Sequence, residues 1–132
     1  MPDQTLGQRR AAHALKAINA LAEKKDYGNF GSYVQRLPAT IVMNGLGQAM
    51  AGELAAARLG KGAGMSVDER SHKTLFDLVG GWLKESGVYS KDKDLMASIV
   101  QSNQEMYVLA QAEALAYLDW LKKFSQAYLN GG

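Results

Sequence analysis

The longest uninterrupted helical pattern in the chain lies near its end, at residues 102–129. This stretch contains no Gly or Pro and is rich in Ala, Leu, Gln, Glu and Lys, which favour α-helix. Ser102 and Glu105 match an S-x-x-E capping box, which predicts that the helix begins there. Apolar residues recur on two faces, which predicts a central helix with neighbours on more than one side and Trp120 in the core. The first face carries Tyr107, Ala110, Ala114, Tyr117, Leu118, Leu121, Phe124 and Tyr128, and the second carries Met106, Leu109, Ala112, Ala116 and Trp120.

Shorter helical patterns precede this one, and capping signals mark two of them. Thr5 and Gln8 form a T-x-x-Q box ahead of the first pattern. Ser66 and Glu69 form an S-x-x-E box ahead of the fourth. In such a box the two side chains satisfy backbone N–H groups that a helix start leaves without partners, so both boxes predict helix beginnings.

The remaining helix boundaries rest on single residues. Pro38 either opens a second helix at its first turn or kinks one that is already running. Asn44 and Gly45 are typical of a helix end, after which a third pattern begins. Asp92 or Asp94 opens a short fifth helix. These patterns predict an all-α fold: a single domain over residues 1–132, a bundle of five or six helices packed around the long C-terminal helix.

Length and composition predict the number of domains and the cellular compartment. A length of 132 residues suits one domain with one core. There is no Cys, which removes disulfides, iron–sulfur clusters and thiolate zinc sites and fits a reducing compartment. No apolar run approaches the roughly 18 residues of a membrane span, and the first residues lack the apolar centre of a signal peptide. We therefore expect a cytoplasmic protein without membrane contact.

Charge is distributed unevenly along the chain. The net charge is +2, but residues 1–65 carry eight Lys or Arg against four Asp or Glu, whereas residues 66–132 carry seven against nine. A mildly basic half suits contact with a phosphate backbone. The alternative is ordinary solubilising surface charge.

The most enzyme-like stretch is ATIVMNGLGQAM, at residues 39–50. A β-branched run followed by G-x-G is typical of the strand and loop of a dinucleotide site. Here Met50 occupies the third glycine position, and no other stretch reads as a parallel partner strand. The loop GKGAGMS matches only part of a phosphate-binding loop, which favours a linker.

Titratable side chains form no catalytic pattern. His13 and His72 stand apart without metal-ligand spacing, and Ser71 beside His72 lacks the context of a nucleophile. Carboxylates near apolar faces are expected to form helix–helix ion pairs; they are Glu53, Asp77, Glu113 and Asp119. We therefore expect no catalytic residue, no metal site, no cofactor and no enzymatic activity.

Two blocks carry a family resemblance. The first reads LP followed by NGLGQA, within residues 37–49, and the second reads EALxYLxWLKKF, at residues 113–124. With an Arg- and Ala-rich first helix and a length of 132 residues, the chain resembles the small, all-helical subunit of the type III-B CRISPR effector, the Cmr complex. The similarity spans most of the chain and is weakest through GKGAGMSVDER.

The resemblance implies a subunit without catalytic activity in an RNA-guided antiviral effector complex. Copies of it would stack into a minor filament beside the backbone subunits that hold the guide RNA, and would contact the large polymerase-like subunit. They would line the groove in which target RNA pairs with the guide, touching RNA through its backbone. The alternative is a helical adaptor or regulator that binds protein partners only.

Candidate RNA contacts follow from the position of the long cations. Arg9 and Lys16 are seven residues apart, nearly two helical turns, so one helix can present both. Phosphate contact needs cations on a solvated face and no base-reading geometry. The predicted RNA-facing residues are Arg9, Arg10, Lys16, Lys24, Lys25 and Arg36, with Lys122 and Lys123 in addition.

Overall fold

Six α-helices follow one another in a computed structural model that describes residues 3–62 and 64–129. They are α1 (Leu6–Lys24), α2 (Phe30–Asn44), α3 (Leu46–Ala57), α4 (Val67–Glu85), α5 (Leu95–Gln101) and α6 (Gln104–Tyr128). A 3₁₀ turn, Leu59–Lys61, lies between α3 and α4. The described residues contain no strand, so the predicted all-α fold is confirmed. None of their helices has the length and apolarity needed to cross a bilayer.

Side-chain caps set the beginnings of three helices as predicted. Thr5 with Gln8 and Ser66 with Glu69 form complete capping boxes at α1 and α4. Of the two aspartates considered for the fifth helix, Asp94 is the cap, and its carboxylate accepts a backbone N–H of α5. These helix starts could be predicted because a side-chain cap involves residues that are close together in the sequence.

The predicted box at Ser102 is wrong, because α6 begins after Asn103. The side-chain oxygen of Asn103 accepts the backbone N–H of Met106 at 2.8 Å. Ser102 instead ends α5, where its hydroxyl donates to the carbonyl of Ser98 at 3.1 Å and pairs with the hydroxyl of Tyr89 at 2.6 Å. The Ser102 hydroxyl is thus occupied by a tertiary contact, and the next residue takes over the cap.

Pro38 lies inside α2 and does not open it. The helix ends at Gly45, whose φ of 89° is readily adopted only by glycine. A Cβ at this position would also lie 2.9 Å from the Tyr107 hydroxyl. Gly45 therefore allows both the sharp α2–α3 turn and the close approach of α6.

The core forms where α1, α2 and α4 pack against α6. The first predicted face of α6 supplies the buried residues Ala110, Ala114, Tyr117, Leu118 and Leu121, while its Tyr107 and Phe124 are half-buried and its Tyr128 is exposed.

The second predicted face of α6 is not packed as expected. Leu109 is 51% exposed and Trp120 is 37% exposed, and Ala112 also faces solvent, while Met106 and Ala116 are half-buried. The neighbours of α6 cover the side that carries its buried residues and leave this one open. The placement of Trp120 in the core is therefore wrong.

Gly80, within α4, is explained by close helix packing. A Cβ at this position would lie 2.9 Å from a methyl carbon of Leu95, the first residue of α5. Glycine thus lets α5 approach α4, at a cost in helix propensity of roughly 1 kcal/mol relative to Ala.

Candidate nucleic-acid interface

Three of the predicted cations lie on one side of α1. Arg9, Lys16 and Lys24 are exposed and follow one another at intervals of seven and eight residues, about two turns each. Within residues 3–62 and 64–129 none of the three takes part in an ion pair. This row of charge is therefore not neutralised inside the protein.

Arg10 has a different environment from its neighbour Arg9. Its guanidinium is mostly buried between α1 and α6 and pairs with Glu113, with Nη2 3.0 Å from Oε1. The other oxygen of Glu113 accepts the indole N–H of Trp82 at 2.9 Å. The hydrogen bond from Arg10 lowers the pKa of Glu113 against the opposing effect of burial. Arg10 thus connects α1 to Glu113 of α6, and the same carboxylate connects α6 to Trp82 of α4.

His13 continues this polar cluster toward the surface. Its Nδ1 lies 2.7 Å from the hydroxyl of Tyr117. Burial lowers the pKa of His13 and raises that of Tyr117, which favours a neutral imidazole that accepts a hydrogen bond from the tyrosine hydroxyl. The other ring nitrogen lies 3.8 Å from Glu85. His13 of α1 therefore lies between Tyr117 of α6 and Glu85 of α4.

A cleft of about 600 Å³ opens between α1 and α4 above this cluster. We call it the α1/α4 cleft. Its apolar surface comes from Ala12, Ala17 and Ala20 of α1 and from Leu78 and Trp82 of α4, and its polar lining comes from Gln4, Arg9, His13, Lys16 and Glu85. The Arg9 guanidinium lies over the Trp82 ring, 5.9 Å from its centroid. The cleft thus combines an apolar floor with two unpaired cations on the α1 wall.

The other predicted residues lie outside this cleft. Lys24 and Lys25 end α1, with Lys25 in the left-handed conformation that terminates the helix. On α2, the guanidinium of Arg36 lies 5.2 Å from the ring centroid of Tyr33. On α6, Lys122 is half-buried and Lys123 pairs with Asp119 at 3.1 Å.

Several further basic residues are engaged by carboxylates. Glu69 lies 3.9 Å from Arg58 and also pairs with Lys61, Arg70 lies 3.0 Å from Asp26, and Lys73 lies 2.7 Å from Asp77.

The dinucleotide-like stretch serves helix packing. The backbone N–H groups of Leu46 and Gly47 donate to the side chains of Gln111 and Tyr107, each at 2.9 Å. The N–H groups that would hold a phosphate in a nucleotide loop are therefore bound to α6. In the described part of the chain, no three potential metal ligands cluster together.

Sequence reasoning missed the cleft itself. The ring of Trp82 is buried, and it also lies at the base of the cleft beneath Arg9. No local signal marks this position, because the cleft exists only where α1 and α4 meet.

Comparison with known proteins decides the family. The sequence pattern of the CRISPR-associated protein family Cas_Cmr5 matches residues 6–128. The chain belongs to this family. It is thus a small accessory subunit of the CRISPR Cmr complex. The fold is also that of a CRISPR-associated Cmr5 family protein from Thermus thermophilus, whose crystal structure aligns with a TM-score of 0.71 at 23% identity and covers 97% of this chain and 100% of that one.

Proposed function

We propose that this Cmr subunit is a non-catalytic RNA-contacting component of the effector complex. It stacks with further copies of itself beside the backbone subunits and contacts the large polymerase-like subunit. Its solvated cations contact the sugar–phosphate backbone of guide and target RNA. Family membership supports the place in the complex.

The observation that carries the RNA contact is the unpaired row on α1. A cation without a carboxylate partner can bind a phosphate without breaking an existing ion pair. Arg10 and Lys123 are engaged by Glu113 and Asp119. The proposal therefore rests on the six remaining predicted residues, which are Arg9, Lys16, Lys24, Lys25, Arg36 and Lys122.

A charge-reversal experiment tests this proposal. The variant Arg9→Glu/Lys16→Glu is assembled into the Cmr complex, and target RNA binding is measured over a range of salt concentrations. Each lost phosphate contact reduces the log–log salt slope by about 0.7–0.9. Arg10 is left intact, since a carboxylate there would face Glu113 and disturb the fold.

The matched control is Lys91→Glu/Lys93→Glu, which makes the same charge change at exposed lysines between α4 and α5; neither forms an ion pair within residues 3–62 and 64–129. We expect weaker binding and a smaller slope only for the α1 variant, with normal assembly of both. Wild-type affinity and slope for the α1 variant would show that its charge serves solvation alone.

One observation favours the alternative function, a helical adaptor that binds protein partners only. Val42 and Met43 at the end of α2 and Val108 and Leu109 on α6 are large apolar side chains exposed to solvent, and Met43 is 81% exposed. Such residues suit protein contacts in an assembled complex. If Met43→Glu prevents incorporation while the α1 reversal leaves RNA binding unchanged, the protein-only function is the correct one.

A further inference from the structure

Two aromatic rings and the Arg9 guanidinium follow one another from the core to the α1/α4 cleft. The rings of Tyr117 and Trp82 are stacked with their centroids 5.8 Å apart and their planes 12° apart. The guanidinium of Arg9 lies over Trp82 and borders the cleft. The indole is held in place by its hydrogen bond to Glu113. A rigid aromatic support therefore holds a planar cation at the edge of an open cavity.

A guanidinium plane supported in this way is a stacking surface for a nucleobase. The cleft volume of about 600 Å³ falls within the roughly 300–1,000 Å³ of sites that hold small ligands. Ala12, Ala20 and Leu78 offer apolar walls to the base. No side chain in such an arrangement needs to read the base edge.

Charge within the cleft is asymmetric. Lys16 lies about 10 Å along α1 from Arg9 and forms no ion pair with the described part of the chain. Among the described residues of the lining, Glu85 is the one carboxylate; it lies on α4 and faces His13. An anionic group would therefore be held at the α1 wall, by Lys16, while an uncharged ring occupies the space at Arg9.

We propose that the α1/α4 cleft binds one unpaired nucleotide of an RNA strand, with its base stacked on Arg9 and its phosphate held by Lys16. This inference rests on the RNA contact proposed above and adds a base-dependent, sequence-tolerant contribution to it. An acidic helix of a protein partner is the competing occupant. The supported guanidinium favours the nucleotide, because a carboxylate pairs with the edge of a guanidinium, whereas a base stacks on its face.

The test compares two single-stranded oligomers of equal length, oligouridylate and its abasic counterpart, on the full chain at low ionic strength. Fluorescence anisotropy measures the affinity of wild-type protein, Arg9→Lys and Arg70→Lys. Lysine retains the charge of Arg9 but lacks the planar face. Arg70, an exposed arginine of α4 that pairs with Asp26, is the matched control. Circular dichroism verifies that each variant is folded.

We expect the wild-type protein and Arg70→Lys to bind oligouridylate between about fivefold and a hundredfold more tightly than the abasic oligomer. Arg9→Lys should bind both equally, at the abasic affinity. Equal wild-type binding of both oligomers would overturn the base contact and leave the backbone contact standing. A preference that persists in Arg9→Lys would place the base elsewhere.

Three further outcomes would also overturn the inference. The first is absence of binding to either oligomer, because the cleft is already open in the free chain. The proposed function would then be decided independently, by the charge-reversal experiment on the assembled complex. Uridine monophosphate binding as tightly as the oligomer would make the cleft a free-nucleotide site. Impaired complex assembly by Arg9→Lys would point to a protein occupant.

Discussion

Trp82 and Trp120 are the two tryptophans of the chain, and the fold gives them different environments. Trp82 is 1% exposed, stacks on Tyr117 and donates to Glu113. Trp120 is 37% exposed and packs beside Phe124 on the same helix, with ring centroids 5.7 Å apart. Trp82 of α4 is thus bound to two residues of α6.

This difference predicts unequal losses of stability. Trp82→Ala should lower the free energy of unfolding by about 3–5 kcal/mol, the range for removing a buried aromatic side chain. Trp120→Ala should cost clearly less, because much of its ring stays in water in the folded state. Urea unfolding followed by circular dichroism measures both. Equal losses would mean that Trp120 contributes to the core after all.

Glu69 predicts a pH dependence of stability. The hydrogen bond from Lys61 and that from the backbone N–H of Ser66 lower the pKa of Glu69 from 4.5 to about 2. Because the folded-state value lies below the unfolded one, the stabilisation is complete above pH 4.5 and is lost as the pH falls toward 2.

Glu69→Gln removes this titration, since an amide can still accept the Ser66 N–H. Its melting temperature should therefore fall less steeply than that of the wild type across this acid range. The control is Asp77→Asn, which removes the carboxylate of an exposed i,i+4 pair with Lys73. A wild-type acid profile for Glu69→Gln would refute the assignment.

At the scale of helices, the adjacent glycines of α4 have different neighbours. Gly80 contacts Leu95 of α5, whereas a Cβ at Gly81 would meet nothing closer than the His13 ring at 3.8 Å. The first glycine leaves room for the Leu95 side chain, and the second is a helix-interior glycine with room for a methyl group.

Gly81→Ala should therefore stabilise the protein by about 0.5–1 kcal/mol, the usual advantage of Ala over Gly within a helix. Gly80→Ala should gain little or lose stability, because Leu95 must move to admit the new methyl group. Thermal unfolding of the two variants compares them directly. A stabilised Gly80→Ala with an unchanged Gly81→Ala would reverse this interpretation of the α4–α5 contact.

At the scale of the whole molecule, the exposed apolar residues are spread over several helices. They include Leu6 of α1, Val42 and Met43 at the end of α2, Leu59 of the 3₁₀ turn, Val100 of α5 and several residues of α6. Nothing in the sequence provides the sustained heptad seam of a coiled coil. The isolated subunit should therefore be monomeric or weakly self-associating, and should form a filament only with backbone subunits and RNA.

Sedimentation velocity at micromolar concentration checks this prediction. The expected result is a single species near 14.3 kDa with weak concentration dependence. Val108→Glu, which places a charge on the exposed side of α6, should leave this species unchanged. A tight oligomer that Val108→Glu dissociates would show that α6 drives self-association without RNA.

The sequence by itself determined the fold class, most helix boundaries and the family resemblance. Helical periodicity and capping boxes are local, because they depend on residues three or four positions apart. The boxes at Thr5 and Ser66 and the stop at Gly45 could therefore be predicted without any tertiary contact. The two sequence blocks that carry the resemblance were likewise sufficient, and the family is confirmed.

Only the tertiary structure decided which residue of a local pattern faces a neighbour. Adjacent helical residues point about 100° apart, so Arg9 borders an open cleft while Arg10 is fastened to Glu113. For the same reason sequence could not tell that the face of α6 bearing Trp120 stays uncovered. The α1/α4 cleft could not be predicted either, because its walls are distant in sequence and come together only in the folded chain.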